Sequence, residues 1–558
     1  MASPTAPFGR SLQRRVNRSS PSPTTPDPAA HARSTATVVL DPRFRWWDVG
    51  IFVVLTVGHL GVLAFVLYAW WTEVDWGATR VVFPVLLLTI VIQVLLWEWR
   101  WLTLPLMRVP RERPAGRGCR VGIAVTFVPE SEPIAMLEET VRALVAIAHP
   151  HETWVLDEGD DARVRELCER LGARHFTRKG DERFQQAEGP FRARTKYGNY
   201  NTWLDRHGYD RYDLIVAVDS DHILRPDYLD RVLGYFDDPE VAFVQPAQAY
   251  YNQGAGLVAR GAAEETYAYY SSLLMAAQGI GYPLVVGCHN THRVSALREI
   301  GGFAPHEADD MVMTLRYRAL GWKGIYVPRI LARGLVPADW AAYLKQQRRW
   351  ARSVLDYKFR VFPKYGKRLP WLERLLNYVH GLYYLWGVVT AIQVALLVIV
   401  LLTGFLPPGN GVWLLSDAAV VLGVILPCEA YRQRFFLDRC EWGIHWRSGL
   451  LRLLKWPYFL VAAVDALGGE YGEYVVTSKR RGSRVPPLFL KIHVSVLLVV
   501  SGAWAFGTAT RGIEFIAVHA GAAFTAAISI LALLLARRAS PPPYDPALRD
   551  SRREDASA

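Results

Sequence analysis

The chain has 558 residues, of which 51% are hydrophobic and 21% charged, and its mean hydropathy is +0.09. These averages exclude a disordered chain, a collagen-like chain and a small disulfide-stapled protein, and the length predicts two to four folding units. The 64 basic and 52 acidic residues give a net charge of +12, which by itself suits nucleic acid, anionic lipid or an anionic substrate.

The N-terminal segment and the cysteines both indicate a reducing compartment. Residues 1–44 are polar, rich in Pro, Ser, Thr and Arg, and carry no cleavable signal peptide, which predicts a disordered cytosolic tail. The five cysteines form no CxxC pair. Their odd number and scattered spacing argue against a disulfide framework or a structural zinc site and predict isolated thiols.

Apolar runs predict six membrane spans. Between the later runs, His445–Leu467 carries basic residues among apolar ones and is interpreted as a helix lying in the membrane surface, with a seventh span as the alternative. Six spans place every basic segment on one side, so we expect a multi-pass protein of the cell membrane with its central part and both termini in the cytosol. The spans expected are Val49–Trp71 and Val81–Trp97, followed by about 378–405, 412–430, 488–506 and 513–536.

The central part of the sequence differs from the apolar runs. From about 108 to 360, short β-rich runs begin at Val121, Leu214 and Val241, with helical stretches between them. This alternation predicts an α/β domain with a Rossmann-like, mostly parallel sheet, inserted in an α-helical multi-span membrane domain. The division expected is a tail at 1–44, two transmembrane helices in 45–103, the α/β domain at 108–360, a membrane domain at 361–538 and a disordered cytosolic tail at 539–558.

The strongest local signal is LIVAVDSD, in which a β-rich run ends in Asp219 and Asp221. Open α/β sheets bind ligands at the carboxyl ends of their strands, where two carboxylates can hold a divalent cation against a diphosphate. A solvated turn is an alternative. A phosphatase of the haloacid dehalogenase type is another, although that family usually has Thr or Val where Ile223 stands here.

Three further polar segments have both a functional and a structural interpretation, and a fourth, KYGNYN, offers a cation and two amides. Asp157 in WVLDEGDD suits hydrogen bonding to a nucleotide base or ribose, or it can belong to a polar turn before a helix. Lys196 is the first residue of the compact polar segment KYGNYN. Asp310 in EADD can be a general base, or Asp309 and Asp310 can cap a helix. QQRRW, which ends in Trp350, can bind a phosphate and stack on a sugar, or form an amphipathic surface helix.

Taken in order, these segments resemble the family 2 glycosyltransferases. In detail they resemble the membrane-embedded processive branch, which includes cellulose, chitin and hyaluronan synthases. The resemblance covers about Gly118 to Lys479 and implies a cytosolic catalytic domain of the GT-A type. YVVTSK is similar to the F-x-V-T-x-K gating loop of cellulose synthases, expected here at 474–482. The motifs are WVLDEG, KYGNYN, VDSDH, VQPAQAYYN, ALREIGGF, EADD and QQRRW.

The resemblance also implies roles for individual residues. Asp310, at the last position of the family's T-E-D, is implied to be the catalytic base. Asp219 and Asp221 are implied to bind UDP through Mg2+ or Mn2+. In Q-x-x-R-W, Arg349 is implied to lie near the pyrophosphate and Trp350 beneath the acceptor sugar.

Five more substrate-binding residues follow from the same resemblance. Asp157 is implied to contact the uracil, Lys196 to lie near the phosphates, and Gln346 to complete Q-x-x-R-W. Thr477 and Lys479 are implied to close over the nucleotide when the gating loop inserts.

The sequence departs from the family pattern at three motif positions and in one stretch. Glu158 replaces the second Asp of D-D-G, Ala308-Asp309 replaces Thr-Glu, and Tyr474 replaces Phe. The stretch Arg178–Arg194 is longer than expected of cellulose synthases and is expected near the nucleotide site, where it can tune the choice of donor or acceptor. These departures leave the identity of the sugar open.

The function expected is an inverting, processive transfer from a UDP-sugar, with UDP-glucose preferred, to a β-linked polysaccharide that is extruded across the membrane. The alternatives are a non-processive enzyme making a glycolipid and a chitin- or hyaluronan-type synthase using UDP-N-acetylglucosamine. A transporter or scaffold with a degenerate domain is a further class. The expected partners are the donor, the growing polysaccharide and the lipid bilayer, with no nucleic acid; accessory export subunits stay unidentified.

Overall fold

The computed structural model describes residues 37–73, 82–116, 118–405, 411–469, 485–513, 516–537 and 544. Ten strands form one large and one small sheet within these residues. The strands are β1 (Leu40–Pro42), β2 (Arg108–Pro110), β3 (Val121–Phe127), β4 (Glu152–Asp157), β5 (Arg174–Phe176), β6 (Leu214–Asp219), β7 (Ile223–Leu224), β8 (Val241–Tyr250), β9 (Asn290–Arg293) and β10 (Lys323–Gly334).

Fourteen described helices have eight residues or more. Those before and within the α/β domain are α1 (Trp46–Glu73), α2 (Val82–Leu102), α3 (Ile134–Val145), α4 (Ala162–Leu171), α5 (Lys196–Trp203), α6 (Leu257–Ala268), α7 (Asp309–Ala319) and α8 (Trp340–Asp356). Those that follow are α9 (Trp371–Val379), α10 (Trp386–Thr403), α11 (Gly411–Arg432), α12 (Trp446–Gly468), α13 (Pro487–Arg511) and α14 (Ile516–Arg537). Shorter helices lie at Tyr209–Arg211, Tyr228–Val232, Leu274–Ile280, Val294–Glu299 and Phe362–Tyr365.

The large sheet has eight strands in the order β5-β4-β3-β6-β9-β8-β10-β7. Four of its seven strand pairs are parallel, and β9 makes the sheet mixed because it runs antiparallel to both β6 and β8. The prediction of an α/β domain with a mostly parallel sheet is therefore confirmed. The sequence did not indicate β9, since four residues with little apolar character give no strand signal.

The central strands are apolar because both faces of the sheet are covered. Ile123 and Val125 of β3 pack into one hydrophobic core, whereas Ala124 between them packs into the other. Ile215 and Val216 of β6 divide between the two cores in the same way. Successive side chains of a strand point to opposite faces, so a sheet buried on both sides requires a continuous apolar run.

Five described helical segments are long and apolar enough to cross a membrane: Trp46–Ala69, Val82–Leu106, Trp371–Thr403, Pro487–Arg511 and Ile516–Arg537. The chain is therefore a membrane protein. The fourth expected span falls in α11, where the side chains of residues 411–419 lie outside the described part. The total of six spans stays a prediction.

Helix α12 covers the segment interpreted as an interfacial helix, and it is not among these five. It packs against α6 and α8 of the α/β domain and against α10 of the membrane domain. Lys455 in its middle is fully buried, and Arg348 of α8 forms an ion pair of 2.7 Å with Asp465. The helix thus joins the two domains, while its position in the membrane surface stays a prediction.

Candidate active site

A cavity of about 440 Å³ lies at the carboxyl ends of β6 and β8 and extends to side chains of the membrane helices. Its walls come from the strand ends, from α7 and α8, and from residues of α2, α11 and α12. Open α/β sheets place their ligand sites at the same edge. The cavity is therefore the candidate active site, and the predicted site residues can be located relative to it.

Asp219 and Asp221 line the cavity at the end of β6. Together with His222 they offer ligand atoms that all lie within 4.8 Å of one another. Carboxylate oxygens suit Mg2+ and Mn2+, so these residues fit the expected cation. His222 also forms a second group with Cys288 and His289, whose softer donors suit a different type of metal.

Lys196 is the first residue of α5, which Thr195 caps by accepting a hydrogen bond from the Gly198 N–H. This position aims the Lys196 side chain at the strand ends. Its Nζ lies 2.5 Å from Asp219 Oδ1, and it also donates to the carbonyl of Gly287. Lys196, which is expected near the phosphates, and Asp219, which is expected to bind the metal ion, are therefore in direct contact within the cavity.

Asp157, in contrast, is fully buried at the end of β4 and is not among the described residues that line the cavity. Its carboxylate accepts from the N–H groups of Gly159 at 2.9 Å and Asp161 at 2.7 Å, which fixes the turn before α4. The next residue, Glu158, does line the cavity. A contact between Asp157 and a uracil base stays a prediction.

The unusually long stretch 178–194 is organised around the fully buried Arg178 side chain. Its guanidinium forms an ion pair with Glu158 at 2.8 Å and donates to the carbonyls of Phe184 and Arg192. Arg194, at the end of the stretch, lines the cavity. The stretch therefore reaches the candidate site, as the sequence predicted, and Glu158 holds it there.

Asp309 and Asp310 begin α7 and line the cavity half-buried. Asp310 Oδ1 accepts from the N–H of Met311 at 2.7 Å. Burial and the charge of Asp310 raise the pKa of Asp309 to about 7. Burial also raises the pKa of Asp310, although the Met311 N–H and the charge of Lys196 oppose this. A carboxylate of raised pKa can accept a proton near neutral pH.

Gln346, Arg349 and Trp350 project from one face of α8 into the cavity, followed by Ser353 one turn later. The spacing i, i+3, i+4, i+7 places these side chains on one helical face. The amphipathic helix that the sequence offered as an alternative is present, and its polar face lines the site. The structure thus brings together seven of the predicted residues: Lys196, Asp219, Asp221, Asp310, Gln346, Arg349 and Trp350. Thr477 and Lys479, with the whole expected gating loop 474–482, lie outside the described residues.

Sequence reasoning missed a buried ion pair beneath this face. Nζ of Lys455 in α12 lies 2.6 Å from Glu265 Oε1 in α6, and it also donates to Tyr343 Oη and Gln347 Oε1, both at 2.8 Å. Glu265 and Gln347 also line the cavity. One signal was available, since a lysine inside an apolar helix needs a polar partner.

Sequence reasoning also missed three arginines that together line one side of the cavity, called the basic wall below. Arg100 of α2, Arg432 of α11 and Arg452 of α12 line the cavity together with Tyr383 and Tyr384. Arg100 and Arg432 stand at the ends of apolar runs and Arg452 stands among the apolar residues of His445–Leu467, which indicated only a place at the membrane surface. The cavity therefore connects the carboxylates of the α/β domain with basic and aromatic residues of the membrane domain.

Comparison with protein families assigns the chain to a class of enzymes. The model of "Glycosyl transferase family group 2" matches residues 214–431, and that of "Glycosyl transferase family 2" matches residues 125–301. Together they cover more than half of the chain and all the cavity-lining strands described above. The chain belongs to the family 2 glycosyltransferases, which confirms the resemblance.

Its curated relatives include several polysaccharide synthases. Cellulose synthase 1 of Komagataeibacter xylinus is 27% identical over 263 residues, which are 45% of this chain and 16% of that protein. The UDP-forming cellulose synthase catalytic subunit of Xanthomonas axonopodis pv. citri is 25% identical over 51% of this chain and 38% of that subunit. A probable glucomannan 4-beta-mannosyltransferase of rice (Oryza sativa subsp. japonica) is 25% identical over 46% of this chain and 44% of that protein.

The chain spans less than half the length of each of these relatives. Among solved structures, a mannosyltransferase of Pyrobaculum calidifontis in complex with GDP-mannose and Mn2+ aligns with a TM-score of 0.46 and 17% identity. The alignment covers 76% of this chain and 99% of that one.

Proposed function

We propose that the chain is a membrane-embedded, processive, inverting glycosyltransferase that transfers glucose from UDP-glucose to a growing β-linked polysaccharide. One observation carries the proposal: a single cavity contains the Asp219–Asp221 pair, Asp310 and the Arg349–Trp350 face, and continues to side chains of the membrane helices. Relatives named as cellulose synthases, one of them UDP-forming, support the donor and the product.

Asp310 is the proposed general base. It removes the proton from the acceptor hydroxyl, whose oxygen attacks the anomeric carbon of the donor as the bond to the UDP oxygen breaks and UDP leaves with the electron pair. Attack on the face opposite UDP inverts the anomeric configuration. The raised pKa of Asp310 suits this role, because the carboxylate then retains basicity near neutral pH.

The remaining residues bind and orient the substrates. Asp219 and Asp221 would hold Mg2+ or Mn2+, which when bound offsets the charge of the diphosphate. Lys196 and Arg349 add positive charge for the same diphosphate, and Arg349 can bind an oxyanion with two parallel hydrogen bonds. Trp350 offers an aromatic face on which the acceptor sugar stacks.

The membrane helices are proposed to conduct the product. In this arrangement the α/β domain and both termini are cytosolic, since the basic segments then all lie on one side of the membrane. Tyr383 and Tyr384, on the membrane side of the cavity, are placed to contact the chain as it leaves the site. The partners are the donor, the growing polysaccharide and the bilayer.

A donor panel tests the proposal. The purified full chain in proteoliposomes is incubated with UDP-glucose, UDP-N-acetylglucosamine or GDP-mannose and Mg2+ or Mn2+. Nucleotide release and product size are measured. We expect release mainly from UDP-glucose and a long, β-glucanase-sensitive product. A single sugar on a lipid would establish the non-processive alternative, and release from UDP-N-acetylglucosamine a different synthase. No release from any donor would contradict the proposed function.

A further inference from the structure

The basic wall of the cavity is built by three helices. Arg100 in α2, Arg432 in α11 and Arg452 in α12 all line the cavity. In each of them Nε is buried and has no hydrogen-bond partner among the described residues. The Arg100 guanidinium is repelled electrostatically by those of Arg432 and Arg452. A buried N–H donor without a partner lowers the stability of the folded protein. A ligand that accepts hydrogen bonds from these arginines would remove that penalty.

Only one of the three charges is balanced by a carboxylate. Arg432 forms an ion pair with Glu429 one turn earlier in α11. In the described part of the chain, no carboxylate lies within 4.0 Å of Arg100 or Arg452, and Glu265 is engaged by Lys455. Arg452 also interacts electrostatically with Glu265 and Glu429, and Arg100 with Glu429, but these two carboxylates already pair with Lys455 and Arg432. Three arginines and Lys455 against two carboxylates leave an excess of about two positive charges among the described residues.

Arg100 and Arg452 share one aromatic ring instead. Their guanidinium carbons lie 5.6 and 5.4 Å from the ring centroid of Tyr383. Such cation–π contacts contribute about 0.5–2 kcal/mol each, which is less than the cost of removing a charged group from water. The contacts orient the two guanidinium groups towards a common point without neutralising them.

The wall lies close to the proposed base. The ring of Tyr384 lies 5.5 Å from that of Tyr383, and Tyr384 interacts electrostatically with Asp310. Asp310, Tyr384, Arg100 and Arg452 line the same cavity, so an acceptor long enough to fill it can contact both the proposed base and the wall. Asp219, Asp221, Asp309 and Asp310 lie on the strand end and on α7, whereas Glu265 of α6 lies beside the wall and is paired with Lys455.

The positive charge of the basic wall favours an anionic ligand over a neutral sugar. Hydroxyl groups of a neutral sugar can accept hydrogen bonds from arginine but leave its charge uncompensated. A phosphate or carboxylate can accept two parallel N–H bonds from a guanidinium and offset its charge, and such charge-assisted bonds are about twice as strong as neutral ones. Ionisable side chains at membrane depth that face a cavity generally mark the path of a charged ligand.

We propose that the acceptor carries an oxyanion, a phosphate or a carboxylate, and that Arg100 and Arg452 bind it on the membrane side of the cavity. The proposal rests on the proposed function, because it takes the cavity to be the acceptor site. Because glucose added from UDP-glucose is neutral, the oxyanion belongs to the molecule on which the chain starts, either a glycan with acidic groups or a lipid-linked sugar with its phosphate near the site.

The test measures acceptor binding without any donor. The full chain in nanodiscs of zwitterionic lipid is titrated calorimetrically with two matched pairs of probes. One pair is farnesyl phosphate and farnesol; the other is a β-linked tetrasaccharide of glucuronic acid and cellotetraose. We expect one anionic probe to bind at least about tenfold more tightly than its neutral counterpart, and the pair that shows this identifies a lipid phosphate or a glycan carboxylate.

Substitutions then assign the binding to the wall. Arg100→Gln and Arg452→Gln should each weaken binding of the anionic probe at least about tenfold, and Arg100→Lys less, since the charge remains. Arg434→Gln is the matched control, because Arg434 is 44% exposed and does not line the cavity. UDP binding by the Gln variants should equal that of the wild type, which shows that they are folded.

Three results would overturn the proposal: equal binding of the neutral and anionic probes, no binding of either anion, or Gln variants that bind the anion as the wild type does. Loss of UDP binding in the Gln variants, with binding of the anionic probe retained, would assign the arginines to the donor and overturn it as well. Failure of the proposed function has a different signature, since the anion then binds but no nucleotide is released from any donor.

Discussion

Replacing Lys455 by methionine tests how the face of α8 is held in the site. The substitution keeps the length of the side chain but removes the amine that contacts Glu265 at 2.6 and 2.8 Å and Gln347 at 2.8 Å. Lys455 is fully buried and the Glu265 side chain is only 12% exposed. Breaking one partner of a buried ion pair costs about 3–5 kcal/mol, because the other charge is left without compensation.

Equilibrium unfolding of the protein in detergent micelles, followed by near-ultraviolet circular dichroism, measures this loss. The double variant Lys455→Met/Glu265→Gln should lose less stability than Lys455→Met alone, since no charge is then stranded. Lys323→Met is the control: Lys323 pairs with Glu240 at 2.7 Å at the surface, where an ion pair contributes about 0–1 kcal/mol. A loss of unfolding free energy in Lys455→Met as small as that in Lys323→Met would contradict a stabilising role of the buried ion pair. A double variant no more stable than Lys455→Met would contradict it as well.

Three further outcomes are expected. Asp221→Ala should abolish the metal-dependent part of UDP binding measured by calorimetry, and unchanged binding would contradict the metal role. Burial raises the pKa of Asp310, so this carboxylate becomes protonated at a higher pH than an exposed aspartate does. The transfer rate should therefore fall as the pH is lowered from 8 to 5, and a flat profile over that range would contradict this. Gly279→Ala should unfold the protein or shift its domains, because the new Cβ would lie 1.6 Å from the carbonyl oxygen of Leu106. Gly502→Ala is the control, since a Cβ there meets no atom within 4 Å, and its melting temperature should equal that of the wild type.

The parts of the fold that the sequence predicted are those with a local signal. The strand ending in Asp219 could be predicted because a continuous apolar run followed by carboxylates is typical of a buried strand that ends at a ligand site. Gln346, Arg349 and Trp350 could be placed together because helical spacing brings them to one face. In both cases the residues that give the signal lie within about ten positions of one another in the sequence.

The parts that escaped prediction depend on contacts between distant segments. Lys455 and Glu265 are 190 residues apart, and no spacing within the sequence connects them. The sequence indicated only a place at the membrane surface for Arg100 and Arg452, because it is the packing of α2 and of α12 against the other helices that brings them to the cavity. Asp157 is a different case, because its hydrogen bonds to Gly159 and Asp161 are local and agree with the turn before a helix that the sequence offered as an alternative.

The most direct test of the central claim is sugar transfer by Asp310→Asn. The variant is assayed in proteoliposomes for UDP release and polymer yield, and separately for UDP binding, against the control Asp210→Asn, whose exposed carboxylate pairs with Arg298 at the surface. Loss of a general base lowers the rate by about 10²–10⁴-fold, so Asp310→Asn should make almost no polymer while it binds UDP as the wild type does. Near-normal polymer yield from Asp310→Asn would contradict the account.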